Sequence, residues 1–462
     1  MAEGEKEVAE LVAKVARYPT PTWLANTDSV KLVPKVLAQV TEQMKKTGKK
    51  VLTSFIIYNL PNRDCSAQAS RGELGIEHLG KYKEWIDEIR GYFAAHEGPI
   101  VAIVEPDAMG NMVSHSDNPV CEEAFDTQME ALVYAITNLN LPNVGVYMDL
   151  AQVGWLGWSG NMRFLIPILE DLLNKVGTGV LRGFSSNISN TQPLVRPEKL
   201  DVTLAGNPSQ SEYEYSLNVR EELKKVGMVD FGWVVDTSRN GVSNIKTKGE
   251  NWCNIKGSGI GRRPEANPPD LPGLDAVYWF KPPGESDGSD NKDIIGYDPV
   301  CASEDSLTDS PRAGMWFHKQ IVELAVNANP SFVDEPPFEF PNWDDETPAT
   351  TTVVSEPTTT VTEPTTTVTE PTSTTEPESG CWAEAFGYKC CSPGNTYVIT
   401  TDDSGAWGAE NNEWCGIVKD PEDTCWARPL GYACCESCSF IITSDDDGDW
   451  SVNSDGNWCG CI

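Results

Sequence analysis

The chain has 462 residues, 39% of them hydrophobic, with 15 tryptophans and a net charge of -34, which is too long for one compact domain with ordinary loops. Residues 341–462 carry 22 acids against 3 bases and residues 1–340 carry 47 against 32, so both parts are acidic. That argues against nucleic-acid and anionic-membrane partners, and no apolar run approaches the roughly 20 residues that span a bilayer.

The first residues, Met1 to Lys6, have neither the basic nor the apolar region of a leader. Cysteine usage nevertheless points outside the cell: ten of the 14 cysteines fall in the last 82 residues, a density typical of small secreted disulfide scaffolds. The expectation is a secreted, extracellular protein whose native leader has been removed.

From residue 55 onward, short apolar runs are each closed by polar residues. Residues 55–60 run into Pro61-Asn62-Arg63-Asp64-Cys65, residues 100–104 into Glu105-Pro106-Asp107, residues 144–148 into Asp149, and residues 180–184 into Ser185, Ser186 and Asn187. Residues 231–235 end in Asp236, and residues 276–280 are followed by Lys281, Glu285 and Asp287. Continuous apolar runs predict strands buried on both faces, as in parallel sheets covered by helices. Residues 80–96 and 121–139 between them carry apolar residues at helical spacing. The alternation implies an α/β sheet or barrel whose ligand sits at the carboxyl ends of the strands.

An acid at the rim of an apolar core has its charged form destabilised, which raises its pKa toward the range useful for donating a proton near neutral pH. One such acid alone reads more readily as a solvated strand end; six polar strand ends on one face make Glu105 and Asp107 candidates for chemistry. Trp155 and Trp158 follow the strand that ends at Asp149, and Trp23, Trp252 and Trp279 lie near other strand ends. Flat indole faces stack on pyranose rings, whose hydroxyls reach acids, amides and lysine, so a carbohydrate cleft is the expected ligand site. Gly257-Ser258-Gly259-Ile260-Gly261 precedes basic residues instead of a clear helix and reads as a loop, not a dinucleotide site. The four histidines lack metal-ligand spacing, so catalysis falls to carboxylates, with no metal or cofactor expected.

Residues 341–380 hold 15 threonines and a near heptad repeat of Glu-Pro-Thr. Proline in every repeat excludes a coiled coil, and the composition predicts an extended linker open to O-glycosylation. Beyond it, Cys381-Trp382-Ala383 through Tyr388-Lys389-Cys390-Cys391 is echoed 44 residues later by Cys425-Trp426-Ala427 through Tyr432-Ala433-Cys434-Cys435, and Trp414-Cys415-Gly416 by Trp458-Cys459-Gly460. Two tandem β modules at 381–418 and 425–462 follow, each too small to hold itself without disulfides. Cys438 and Cys461, extra in the second copy, are expected to pair; the other pairings stay open. The acidic run 445–449 lacks an EF-hand's closing glutamate, and adjacent Cys-Cys pairs do not suit zinc.

Four motifs resemble glycoside hydrolase family 6, the cellobiohydrolase II group. They are Ile57-Tyr58-Asn59-Leu60-Pro61-Asn62-Arg63-Asp64-Cys65, Val104-Glu105-Pro106-Asp107, Tyr147-Met148-Asp149 with Gly154-Trp155-Leu156-Gly157-Trp158, and Trp279-Phe280-Lys281 through Asp287-Gly288. The resemblance covers about residues 8–333 of a domain placed at 1–340. It implies a distorted (β/α) barrel and inverting hydrolysis of β-1,4-glucan. Asp107 matches the general acid, Asp64 the carboxylate that keeps it protonated and helps activate water indirectly, and Asp287 a third acid, base or charge stabiliser; Glu105 becomes a supporting residue. Tyr58 and Ser70 match residues that distort the sugar and position water. Trp23, Asp149, Trp155, Trp158, Asn190, Trp252, Lys281 and Glu285 match or flank sugar-binding positions. Gln152 stands where relatives have a sugar-contacting histidine, and Ala25 where they have an aspartate.

The resemblance also implies disulfides Cys65–Cys121 and Cys253–Cys301, the second closing a long loop like that of tunnel-forming exo enzymes. Processive release of cellobiose from non-reducing ends is therefore expected, against an open-cleft endoglucanase or, more remotely, a silent cellulose-binding protein. The terminal repeats resemble the dockerins that attach enzymes of anaerobic gut fungi to a cellulosome scaffold, with Tyr388, Trp407, Trp414, Tyr432, Trp450 and Trp458 as their candidate site residues. Expected partners are cellulose, cello-oligosaccharides and that scaffold protein, around a monomeric catalytic unit.

Overall fold

A computed structural model describes residues 3–114, 118–294 and 296–336, and beyond these only short β segments and single residues between 389 and 461. The 341–380 linker and Cys438 of the expected Cys438–Cys461 pair lie outside the described residues. So do Tyr388, Tyr432 and the side chains of Trp407, Trp414 and Trp458.

The first unit, Met1–Glu339, runs α1 (Glu3–Val15), β1 (Thr22–Leu24), α2 (Leu32–Thr47), β2 (Thr53–Ile57), α3 (Leu79–Ala95), β3 (Ile100–Val104), α4 (Ala108–Ser114), α5 (Pro119–Leu139) and β4 (Val144–Asp149). It continues through α6 (Val153–Leu156), α7 (Ser159–Val176), β5 (Gly183–Ser186), α8 (Glu212–Lys225), β6 (Gly232–Asp236), β7 (Glu265–Ala266), β8 (Ala276–Tyr278) and α9 (His318–Val326). Strand order is β1-β2-β3-β4-β5-β6-β8-β7, parallel throughout except for the antiparallel β7.

Both faces of the sheet are apolar, which is why its strands read as unbroken runs. Phe55 and Ile57 join the large cluster under the helices, whereas Ile56 between them joins Ile103, Val234, Phe280 and Trp23 on the other face. Residues from both ends of the strand order meet in that inner cluster, so the sheet curls into the distorted barrel that the family resemblance implies, where the strand pattern alone left sheet or barrel open. β1 is linked to the segment just after β8 by a side chain: the indole N–H of Trp23 donates to the carbonyl of Phe280 at 2.9 Å.

Helix α1 packs on α9 around Val15, Ile260, Trp279, Leu324 and Phe332. Lys14 Nζ donates to the Phe332 carbonyl at 2.8 Å, and Glu335 accepts from both Tyr18 and Arg263. Trp279 is thus fully buried, not on the rim where the sequence had placed it. Strand β5 begins at Gly183, three residues later than predicted, and only glycine fits there, since a Cβ would lie 2.1 Å from the carbonyl oxygen of Gly232 in β6. The single glycosylation sequon, Asn187-Ile188-Ser189, is inaccessible: Asn187 is fully buried and its amide donates to the carbonyl of Asp236.

In the second unit, Phe340–Ile462, each repeat forms a four-stranded sheet in which a two-residue strand, Lys389–Cys390 or Ala433–Cys434, pairs in parallel with the last strand. Cys435 bonds to Cys459, and Trp450 is buried. No helix among the described residues is long and apolar enough to cross a membrane.

Candidate active site

Most strand-end acids fasten backbone. Fully buried Glu105, after β3, accepts the N–H groups of Asn59 and Leu60 at 3.1 Å each and the Tyr82 hydroxyl at 2.9 Å, gripping the loop after β2. Asp149 accepts from the N–H groups of Asp107 (3.0 Å) and Ala151 (2.8 Å) and from the Ser185 hydroxyl (3.0 Å). Asp236 accepts the N–H groups of Ser189, Ser238 and Lys281, joining the loops after β5, β6 and β8. Burial pushes Glu105 and Asp149 up to about 7 and raises Asp236, against the pull of these donors.

Asn62, Asp64, Glu105, Asp107, Ala151, Asn187 and Ser189 all have left-handed backbone, with φ between 50° and 66°. Such residues are costly and persist where surroundings over-determine them. The acid-to-N–H bonds supply that constraint around one mouth.

Asp107 is half-buried at the start of α4. Burial raises its carboxyl well above the usual range, and the charges of Asp64, Asp149 and Asp287 push it the same way. Asp64 is buried and also raised by burial, opposed by the charge of Arg63 and by the hydroxyls of Tyr58 and Ser70. The Tyr58 hydroxyl donates a short hydrogen bond to Asp64 Oδ2. Arg63 lies 4.0 Å from the Tyr58 ring centroid and donates to the carbonyls of Ala25 and Ser70, which folds the Asp64 loop onto β1. Asp287 is differently placed: Arg239 Nη1 lies 2.6 and 2.5 Å from its two oxygens, and the Asn254 N–H donates to it at 2.9 Å.

The sugar-binding candidates fall into two groups. Trp23 meets Tyr58 edge to face at 5.2 Å, Lys281 Nζ lies 5.1 Å from the Trp23 ring, and Lys281 pairs with Glu285 at 3.2 Å. Across the mouth, Trp155 donates to Ser114 at 2.6 Å and lies over Gly110 of α4, where a Cβ would sit 2.9 Å from the ring. Gln152 caps α6 through Gly154 N–H at 2.7 Å, and Trp158 donates to the Gly154 carbonyl. Half-buried Asn190 and Trp252 are carried by the loops after β5 and β6. Asp149 belongs to neither group, because its oxygens are taken inside the protein; it supports Asp107.

Disulfides brace the loops of two of the acids. Cys65, next to Asp64, bonds to Cys121; Cys253, next to the Asn254 that donates to Asp287, bonds to Cys301. The loops after β2 and β8 touch: Asp298 Oδ2 accepts the N–H groups of Gln68 (2.9 Å) and Ala69 (3.3 Å), and a Cβ on Gly288 would lie 2.5 Å from that of Ala69.

Sequence reasoning missed Arg239, Asn111 and Asn254. A base three residues after the strand-end Asp236, in an acid-lined mouth, was the signal for Arg239. The two asparagines carry no charge or motif that marks them. Among the described residues no cluster of His, Cys, Asp and Glu could hold a metal ion.

A model of "Glycosyl hydrolases family 6" matches residues 1–328, and one of a "Cellulose or protein binding domain" matches 380–417 and 424–461. Exoglucanase 2 of Hypocrea jecorina is 34% identical over 331 residues, 71% of this chain and 70% of that protein. A Fusarium oxysporum protein whose name places it with type B endoglucanases is 36% identical over 330 residues, 70% of this chain and 71% of its own. Cellobiohydrolase II (Cel6A) from Humicola insolens, solved with glucose and cellotetraose, matches with a TM-score of 0.68 at 31% identity, covering 72% of this chain and 92% of that one.

Proposed function

The chain belongs to family 6 of the glycosyl hydrolases and is a cellulase of that family, and on that premise we propose that it is an inverting exo-enzyme releasing cellobiose from the non-reducing ends of cellulose. Asp107 gives its proton to the leaving glycosidic oxygen as the C1–O bond breaks, and water attacks C1 from the opposite face. Inversion needs roughly 6.5–9.5 Å between acid and base for that water. Asp287, ion-paired with buried Arg239, is the third acid, a base or a stabiliser of charge on the sugar ring. Asp64 holds charge beside the acid and accepts the water's proton indirectly. Tyr58 and Ser70 shape the sugar there; Trp23, Lys281 and Glu285 bind on one side, Gln152, Trp155 and Trp158 on the other, with Asn190 and Trp252 between.

The observation that carries exo action is the contact between the loops after β2 and β8 through Asp298, which favours a covered path over an open groove. The endoglucanase alternative is favoured by the name of the Fusarium relative. Product analysis separates them: mainly cellobiose with slow viscosity loss on carboxymethyl cellulose supports exo action, and rapid viscosity loss overturns it. For the terminal modules, matched as cellulose- or protein-binding, we propose dockerins that hold a secreted enzyme to a scaffold protein; four cysteines repeated at a constant offset of 44 residues support a repeated binding unit.

A further inference from the structure

We propose that Asn111 is the positioning residue that decides which of two neighbouring carboxylates, Asp64 or Asp107, keeps their shared proton, and that Ser66 sets its orientation. This role presupposes Asp107 as the proton donor of the proposed function. Asn111 is 3% exposed in α4. Its Nδ2 lies 3.2 Å from the main-chain carbonyl of Asp107 and 3.5 Å from Oδ1 of Asp64, and its Oδ1 accepts the Ser66 hydroxyl at 2.6 Å. A carbonyl can only accept, so the NH₂ end must face Asp107 and Asp64 while the oxygen faces Ser66. Flipped, the amide would set its oxygen against two acceptors.

Proton donation requires the proton on Asp107 and the charge on Asp64. Close carboxylates titrate as a pair, and the proton stays where the anion is less well stabilised. Asp64 faces Arg63 and the Tyr58 hydroxyl at Oδ2, and the Asn111 amide at Oδ1. Asp107 faces the negative groups Asp64, Asp149 and Asp287, the last neutralised by Arg239. The N–H of Asn111 therefore favours charge on Asp64 and the proton on Asp107. Ser66 is exposed and lies two residues before Gln68, which Asp298 holds. Seating of this loop thus orients Asn111, and an acid armed by loop seating follows.

The test compares wild type, Asn111→Leu, Ser66→Ala and Asp107→Ala on cellohexaose, whose leaving group must be protonated, and on dinitrophenyl β-cellotrioside, whose leaving group needs no proton. Removing a hydrogen bond to a charged group should lower kcat of Asn111→Leu on cellohexaose about 10- to 100-fold, with KM nearly unchanged. The alkaline limb of its pH profile should move to higher pH, because Asp64 loses a donor to its charged form, while the dinitrophenyl substrate, which takes no proton from Asp107, loses less. Ser66→Ala, a surface change that cannot unfold the core, should shift the limb the same way with a smaller loss. Equal losses on both substrates, or an unmoved limb in both variants, overturn the proposal. If Asp107→Ala keeps its rate on cellohexaose, the acid assignment itself fails; if it loses that rate while Asn111→Leu and Ser66→Ala match wild type, only the role of Asn111 fails.

Discussion

Glu105 and Asp107 are two residues apart at the end of one strand, yet their carboxyls do different work. Glu105 accepts three protein donors and is fully buried, while Asp107 is half-buried among like charges. Sequence located both acids, because an apolar run ending in acid is visible as a string. That pattern alone could not separate them, which only the family resemblance did, because the physical distinction lies in which N–H groups other strands bring. Glu105, ordinarily near 4.5, is held at about 7 by burial. A raised folded-state value means stability that is full below about pH 4.5 and is lost as pH rises through about 7. Asp149 acts in the same direction. Melting temperatures measured from pH 5 to 8 should therefore fall more steeply for wild type than for Glu105→Gln, which cannot ionise; parallel slopes would contradict the assignment.

At the scale of elements, β3 was read from the sequence with both ends right, and β4 and β6 within one residue, because apolar runs bounded by polar residues mark strands buried on two faces. Strand β1 escaped notice: three residues hold no pattern, and it exists because β2 offers it a parallel edge. The meeting of the β2 and β8 loops was equally hidden, since Gln68 and Asp298 are 230 residues apart. Asp298 is 3% exposed, and its second oxygen accepts the Val300 N–H at 2.9 Å just before Cys301. Asp298→Ala strands two N–H groups of the facing loop, a loss of about 1–3 kcal/mol per group if they stay buried. Opening relieves that cost, so viscosity loss per reducing end on carboxymethyl cellulose should rise several-fold and cellobiose release from crystalline cellulose should fall. An unchanged product pattern would show that this latch does not govern access.

For the whole molecule, two compact units divide at Glu339 and Phe340, next to the composition break where threonine and proline take over. The first unit's closure is internal: α1 packs on α9, and Lys14 and Tyr18 grip residues 332–335. A chain ended after residue 345 keeps all these contacts. Its turnover of soluble cello-oligosaccharides should stay within about twofold of the full chain, an effect below 0.5 kcal/mol, while the scaffold binding proposed for the modules should be lost. A large fall in soluble-substrate turnover would mean that the modules contribute to catalysis.

Sequence by itself determined the alternating α/β chain, the acids at strand ends, the linker boundary and the duplicated cysteine modules, because each is a local pattern of polarity or spacing. The curl of the sheet, the pairing of Arg239 with Asp287, the placing of Asn111 between two acids and the contact of the loops at Asp298 were decided only by tertiary structure. Each joins residues that the chain keeps far apart or leaves unmarked, and a carboxylate's role follows from the donors and charges that folding sets around it.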